Sequence, residues 1–156
     1  MGKRFGLAHL EVLTEKLKRS LDLGAGAAIG GHKAIVENIA AAKTLTEGDS
    51  GKHFTIDADA SAYDITLPAN STTGWNATFL MNDIASNNID IVAATSDTIS
   101  GIHIDASPTT ITLRDKVTFV GGTCLLGDMI EITSSDGTNW FCVTYSGANG
   151  GITSSG

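Results

Sequence analysis

The chain has 156 residues, of which 42% are hydrophobic and 17% charged, with 18 glycines and two prolines. This length allows one main domain with a core of its own, and the composition excludes a disordered chain. Residues 1–23 contain five basic and three acidic side chains, a charge of +2, so the remaining residues carry −9 within the net charge of −7. A body this acidic excludes nucleic acid as a partner, because affinity for phosphates comes from lysine and arginine.

Residues 7–23 have the pattern of an amphipathic α-helix. Leucines recur at steps of three and four residues, and basic residues lie away from this stripe, which consists of Leu7, Leu10, Leu13, Leu17 and Leu21. Gly24 stands where a glycine commonly ends a helix. A helix of about five turns is not stable alone in water, so the stripe is expected to bury against its own body, a second copy or another protein.

A glycine- and alanine-rich hinge at residues 24–31 follows the predicted helix and completes an N-terminal arm, residues 1–31. Its glycines do not match the dinucleotide-binding fingerprint, because the third glycine comes one position late. The element before them is also a predicted helix, where the fingerprint requires a strand. The sequence therefore predicts a linker here, and no nucleotide cofactor.

The residues after the arm alternate between apolar and polar side chains in short runs that predict β-strands. Two such runs, at residues 129–133 and 140–145, are joined by the turn-forming pair Asp136-Gly137 and predict a hairpin. Strands spaced at roughly 8–12 residues predict a mainly β domain over residues 32–146, an antiparallel β-sandwich or barrel. The glycine-rich residues 147–156 predict a flexible C-terminal tail.

The sequence predicts no catalytic, cofactor or metal site. Asp57, Asp59 and Ser61 have the spacing of a calcium loop, but Ala62 stands where the loop needs glycine and Pro68 where it needs glutamate. The four histidines lie far apart in the sequence, and no nucleophile stands in a recognisable catalytic motif. The chain is therefore not expected to be an enzyme.

Two cysteines and two tryptophans have roles that the sequence leaves open. Cys124 and Cys142 lack metal-ligand spacing and are expected to be buried free thiols, unless neighbouring strands bring them close enough for a disulfide. Trp75 and Trp140 are candidates for a carbohydrate-binding platform if their rings are exposed, and core residues at strand starts if they are not.

A series of short motifs resembles the β-rich structural proteins of tailed-phage virions. The motifs are Thr44-Leu45-Thr46, Asp49-Ser50-Gly51-Lys52, Ile65-Thr66-Leu67-Pro68, Gly74, Phe79, Ile99-Ser100-Gly101, Asp128, Gly137 and Trp140. The resemblance covers roughly residues 43–146 and consists of turns and strand alternation, which capsid decoration proteins and fibre proteins share. It includes no catalytic residues.

The resemblance implies a capsid decoration, or cement, protein that binds the outer shell and stabilises contacts between major capsid protein subunits. A short chain with extensions at both ends favours this interpretation over the alternative, a tail-fibre or receptor- and carbohydrate-binding module. The expected form is a homo-oligomer, a trimer, assembled in the host cytoplasm and located on the virion surface. No signal peptide and no apolar run long enough to span a membrane is evident. The expected partner contacts are Leu7, Leu10, Leu13, Leu17, Leu21, Ile29 and Trp75, together with the C-terminal tail.

Overall fold

The computed structural model describes residues 34–58, 61–69, 73–94, 96–136 and 138–156. Within these ranges the chain forms twelve β-strands and one short 3-10 helix, at Glu47–Asp49, and no α-helix. The strands are β1 (Val36–Ile39), β2 (Lys43–Thr44), β3 (Lys52–Ile56), β4 (Tyr63–Thr66), β5 (Asn76–Met81), β6 (Ile89–Val92), β7 (Thr98–Ile104), β8 (Thr109–Arg114), β9 (Lys116–Phe119), β10 (Met129–Ser134), β11 (Asn139–Tyr145) and β12 (Ile152–Ser155). The predicted mainly β fold is confirmed, whereas the predicted helical arm, residues 1–31, lies outside the described residues.

The strands form two mixed sheets. One has seven strands in the order β1-β3-β5-β10-β11-β7-β8, and the other has five in the order β12-β9-β6-β4-β2. The first six strands alternate between the sheets, so β1, β3 and β5 are parallel neighbours in one, and β2, β4 and β6 in the other. Each connection crosses to the opposite sheet, and the next strand in the same sheet therefore runs in the same direction.

The prediction of an antiparallel arrangement was wrong for half of the strand pairs. β7 and β11 are also parallel, which makes five parallel and five antiparallel pairings in the described part of the chain. Alternation of apolar and polar residues identifies a strand with one buried face, but it is the same for both directions of pairing. The predicted hairpin is confirmed, since β10 and β11 pair antiparallel from Met129 opposite Tyr145 to Ser134 opposite Trp140.

The inward-facing side chains of both sheets form one buried cluster, as in a sandwich. Phe54 on β3 stacks against Phe79 on β5, with ring centroids 5.3 Å apart. Tyr63, on the five-stranded sheet, donates its hydroxyl to the carbonyl of Asp57 just after β3 at 2.7 Å, and its oxygen lies 3.3 Å from the carbonyl of Ile39 on β1, across the two layers. Burying each large apolar side chain contributes about 1.5–3 kcal/mol, so this cluster is the main source of stability.

The C-terminal residues differ from the predicted flexible tail. Strand β12 pairs antiparallel with β9 and forms the edge of the five-stranded sheet. Ile152 at its start is buried in the common core. The sequence carries little signal for this strand, because Ile152 is its single apolar residue and glycines flank it on both sides.

Candidate functional site

The outer surface of the seven-stranded sheet carries apolar side chains, exposed or half-buried, in register across four strands. On the central strands, Leu80 of β5 lies opposite Met129 of β10, which lies opposite Tyr145 of β11, which lies opposite Ile104 of β7. The next row places Val143 of β11 opposite Ile102 of β7. We call this surface the apolar face; its members are Leu80, Ile102, Ile104, Met129, Phe141, Val143 and Tyr145. Exposed apolar patches of this kind mark interaction sites.

A groove of about 360 Å³ crosses the apolar face between β10, β11 and β7. Phe141, Val143 and Ile102 line it, and Phe141 is 53% exposed. Glu131 lies at the same groove, directly opposite Val143 on the neighbouring strand. It is exposed, and it forms no ion pair with any residue that the structure describes. The face therefore combines apolar walls with a single unneutralised carboxylate.

The outer surface of the five-stranded sheet is polar by contrast. Its outward row runs from Thr153 through Thr118 and Asp90 to Asp64. Thr118 donates its hydroxyl to the Asp90 carboxylate at 2.6 Å, and Lys116 forms an ion pair with the same carboxylate. The hydrogen bond to Asp90 raises the pKa of Lys116, although partial desolvation opposes the rise. These groups satisfy one another's hydrogen bonds, and Thr118 and Asp90 are buried within this polar surface while Asp64 and Thr153 are exposed.

A second depression, of about 430 Å³, lies at the end of the apolar face beside Ile104 and Tyr145. The exposed side chains of Leu125 and Leu126 extend the apolar surface there. Beneath them the buried Asp128 carboxylate accepts hydrogen bonds from the backbone N–H of Leu125 and Gly147 and from the Ser146 hydroxyl. Asp128 thus fixes two loops, and its satisfied partners give it a structural role.

An ion network links the edge strands β1 and β2 to the neighbouring strand β3. Glu37 of β1 forms ion pairs with Lys43 of β2 and Lys52 of β3, and Lys52 also pairs with Asp49 at 2.7 Å. Burial of Asp49 would raise its pKa, but hydrogen bonds from Lys52 and Thr46 outweigh burial and lower the pKa to about 2. These residues support the edge and leave no free group for chemistry.

None of the site residues predicted from the sequence belongs to the apolar face. Trp75 and Trp140 are almost fully buried and pack edge to face at 5.4 Å, while the Trp75 indole N–H donates to the Thr46 carbonyl. The interpretation of both tryptophans as core residues is therefore confirmed. The Trp75 ring offers no surface to a partner in this structure. The leucines of the predicted stripe and Ile29 lie outside the described residues.

Both cysteines are free and buried, as expected. Burial raises the pKa of the Cys124 thiol and raises the pKa of Cys142 to about 12, so neither is a ready nucleophile. Among the described residues, no group of three or more acidic, histidine or cysteine side chains has the arrangement of a metal site. None of the described helical segments is long and apolar enough to cross a membrane.

Sequence reasoning missed the apolar face, although β11 contained its signal. Trp140 and Cys142 point into the core while Phe141, Val143 and Tyr145 point outward, so both sides of this strand are apolar. A strand of this composition is typical of a sheet that is covered on both faces. In comparisons of the sequence, no protein-family model and no curated protein matches the chain.

Proposed function

We infer that the chain is a structural virion protein, a capsid decoration protein that binds the outer shell and stabilises contacts between major capsid protein subunits. The observation that carries this proposal is the apolar face, a sheet surface whose side chains lack a covering layer among the described residues. Apolar surface in register across four strands is suited to burial against another protein.

The contrast between the two outer surfaces supports the same function. A decoration protein has one side on the shell and the other in water, and the sandwich has one apolar and one polar outer surface. The motif resemblance to tailed-phage virion proteins supports the class. In this proposal the chain acts without catalysis. It binds as a trimer, and several modest contacts made at once give a large total affinity for a repeating lattice.

The test is binding of the purified full-length chain to expanded shells, which are assembled from the major capsid protein of the phage that encodes the chain. We expect co-sedimentation that saturates at a fixed ratio of chain to shell subunit, and a higher shell melting temperature in calorimetry. A Phe141→Asp variant should lose binding, whereas Asp64→Asn, on the polar outer surface, should retain it. Failure of the wild-type chain to bind expanded shells would overturn the proposal.

A second candidate, a tail-fibre or receptor-binding module, is favoured by the edge formed by β1 and β2. No described strand pairs with the outer side of either, and both lie at the start of a stack of parallel strands. Such edges present backbone groups that a further strand can pair with, as in an extended shaft. Binding to host cells or to purified surface glycan, without binding to shells, would favour this alternative.

A further inference from the structure

Strands β7 and β11, which contribute most of the groove lining, approach each other very closely. Gly101 lies opposite Cys142 in the parallel ladder, at a point where the register of β7 against β8 shifts. A Cβ atom added to Gly101 would lie 1.8 Å from the Cys142 carbonyl oxygen, so no side chain fits there. The groove walls, Ile102 and Val143, are therefore held by directly paired backbones.

The groove contains a single charged side chain, the carboxylate of Glu131. The outward-facing positions of the four strands β5, β10, β11 and β7 carry one charged side chain, Glu131. Its strand neighbours across the ladder are Thr78 and Val143. Burying this carboxylate under a partner without a counter-charge would cost several kcal/mol. Any partner that covers the groove must therefore bring a cation or donors to Glu131.

We propose that the groove binds an arginine side chain from the protein that covers the apolar face. The aliphatic stem of the arginine lies along Ile102 and Val143, and its guanidinium contacts the Glu131 carboxylate and the face of the Phe141 ring. Arginine suits this site because a planar guanidinium forms paired hydrogen bonds with a carboxylate and stacks on aromatic rings. A long basic side chain also buries its stem while its charge stays at the polar group.

Charge complementarity selects this occupant over a second copy of the same face. Two copies packed face to face would bring two Glu131 carboxylates into one apolar interface that contains no basic outward-facing residue on the four strands. The described part of the chain is itself acidic, which adds to the repulsion. The identification of the partner as the shell protein rests on the proposed function, whereas the arginine site does not.

The test is a titration of the full-length, isotope-labelled chain with N-acetyl-arginine methylamide, followed by NMR. We expect saturable shifts of the Ile102 and Val143 methyl groups and the Phe141 ring. The affinity should fall roughly fivefold in Glu131→Gln, as expected for a charge-assisted contact at a partly exposed site. The matched control Asp64→Asn should bind like the wild type. The norleucine analogue, which has the stem without the charge, should bind more weakly.

Three outcomes would overturn the inference: no saturable shift, an unchanged affinity in Glu131→Gln, or equal binding of the norleucine and arginine analogues. Shell binding then separates this inference from the proposed function. If the wild-type chain binds no shell but the arginine titration succeeds, the proposed function fails and the site stands. If the chain binds shells while the titration fails, the site fails and the function stands.

Discussion

Nε2 of His103 lies 3.2 Å from Oγ of Ser154, and this contact joins β7 of the seven-stranded sheet to β12 of the five-stranded sheet. Nδ1 of the same ring lies 2.8 Å from Oγ1 of Thr144 on β11. A neutral imidazole has one donor and one acceptor nitrogen, and the two hydroxyls satisfy both. Burial lowers the pKa of His103, while the nearby negative charge of Asp105 opposes the decrease.

Mild acid is expected to destabilise the fold through His103. Because its folded-state pKa lies below the ordinary value of 6.5, the unfolded chain takes up the proton first as the pH falls. The stability is therefore complete above about pH 6.5 and declines as the pH falls from there towards the folded-state pKa. Urea unfolding midpoints at pH 7.5 and pH 5.5 measure the decline.

Two variants assign this pH dependence to His103. His103→Gln has no titrating ring, so its midpoint should change less between the two pH values than that of the wild type. His53→Gln changes an exposed histidine on β3 and should keep the wild-type dependence. The charged group that acts on His103 is Asp105, whose pKa is lowered by hydrogen bonds from the backbone of Gly150 and Ser107, so Asp105 stays ionised across this interval. An identical decline in the wild type and His103→Gln would contradict the assignment.

Asp136 is expected to stabilise the β10–β11 hairpin through its carboxylate. One oxygen accepts hydrogen bonds from the backbone N–H groups of Thr138 and Asn139, and the other accepts from the Asn139 side-chain amide at 2.6 Å. The amide of Asn139 and these backbone groups lower the pKa of Asp136 to about 2. Its stabilising effect is therefore present above pH 3.8 and lost as the pH falls towards 2.

Replacement of Asp136 by alanine should lower the thermal midpoint at pH 7, and the difference from the wild type should shrink as the pH falls from 3.8 through about 2. Glu131→Gln is a suitable control because Glu131 is exposed on the adjoining strand β10 and has no ion pair within the described part of the chain. An equal effect of both changes would mean that charge alone, and not the turn's hydrogen bonds, is responsible.

Gly101 is expected to tolerate no side chain. A Cβ atom there would lie 1.8 Å from a backbone oxygen of Cys142, and backbone cannot move aside without breaking the β7–β11 ladder. We expect Gly101→Ala to reduce the free energy of unfolding by at least about 3 kcal/mol. Gly48→Ala is the matched control, because its Cβ would meet only the Thr46 hydroxyl at 3.7 Å, and a change within about 0.5 kcal/mol is expected. Denaturant unfolding measures both, and equal stability of the two variants would contradict the argument.

The predictable part of the fold was local. Alternation indicated most of the strands, although not β7 or β12, and the Asp136-Gly137 pair located the hairpin, because both signals lie within a few residues. The crossing of the chain between sheets after each of the first strands depends on contacts such as Tyr63 with Ile39, which are remote in the sequence and leave no local pattern. The role of Glu131 was hidden for the same reason, since it depends on Val143 and Phe141 being brought beside it by pairing across strands.

Substitution of Trp75 is expected to reduce stability, whereas substitution of Phe141 is expected to weaken binding with little effect on stability. The Trp75 ring is buried against Trp140, so Trp75→Ala should reduce the free energy of unfolding by about 3–5 kcal/mol. Phe141 is 53% exposed, so Phe141→Ala should cost less than about 1 kcal/mol in stability while weakening association with the partner. Denaturant unfolding measures the first effect, and co-sedimentation with shells measures the second. A folded Phe141→Ala variant that binds as tightly as the wild type would remove the apolar face from the interface, because Phe141 is its most exposed aromatic residue and forms one wall of the groove.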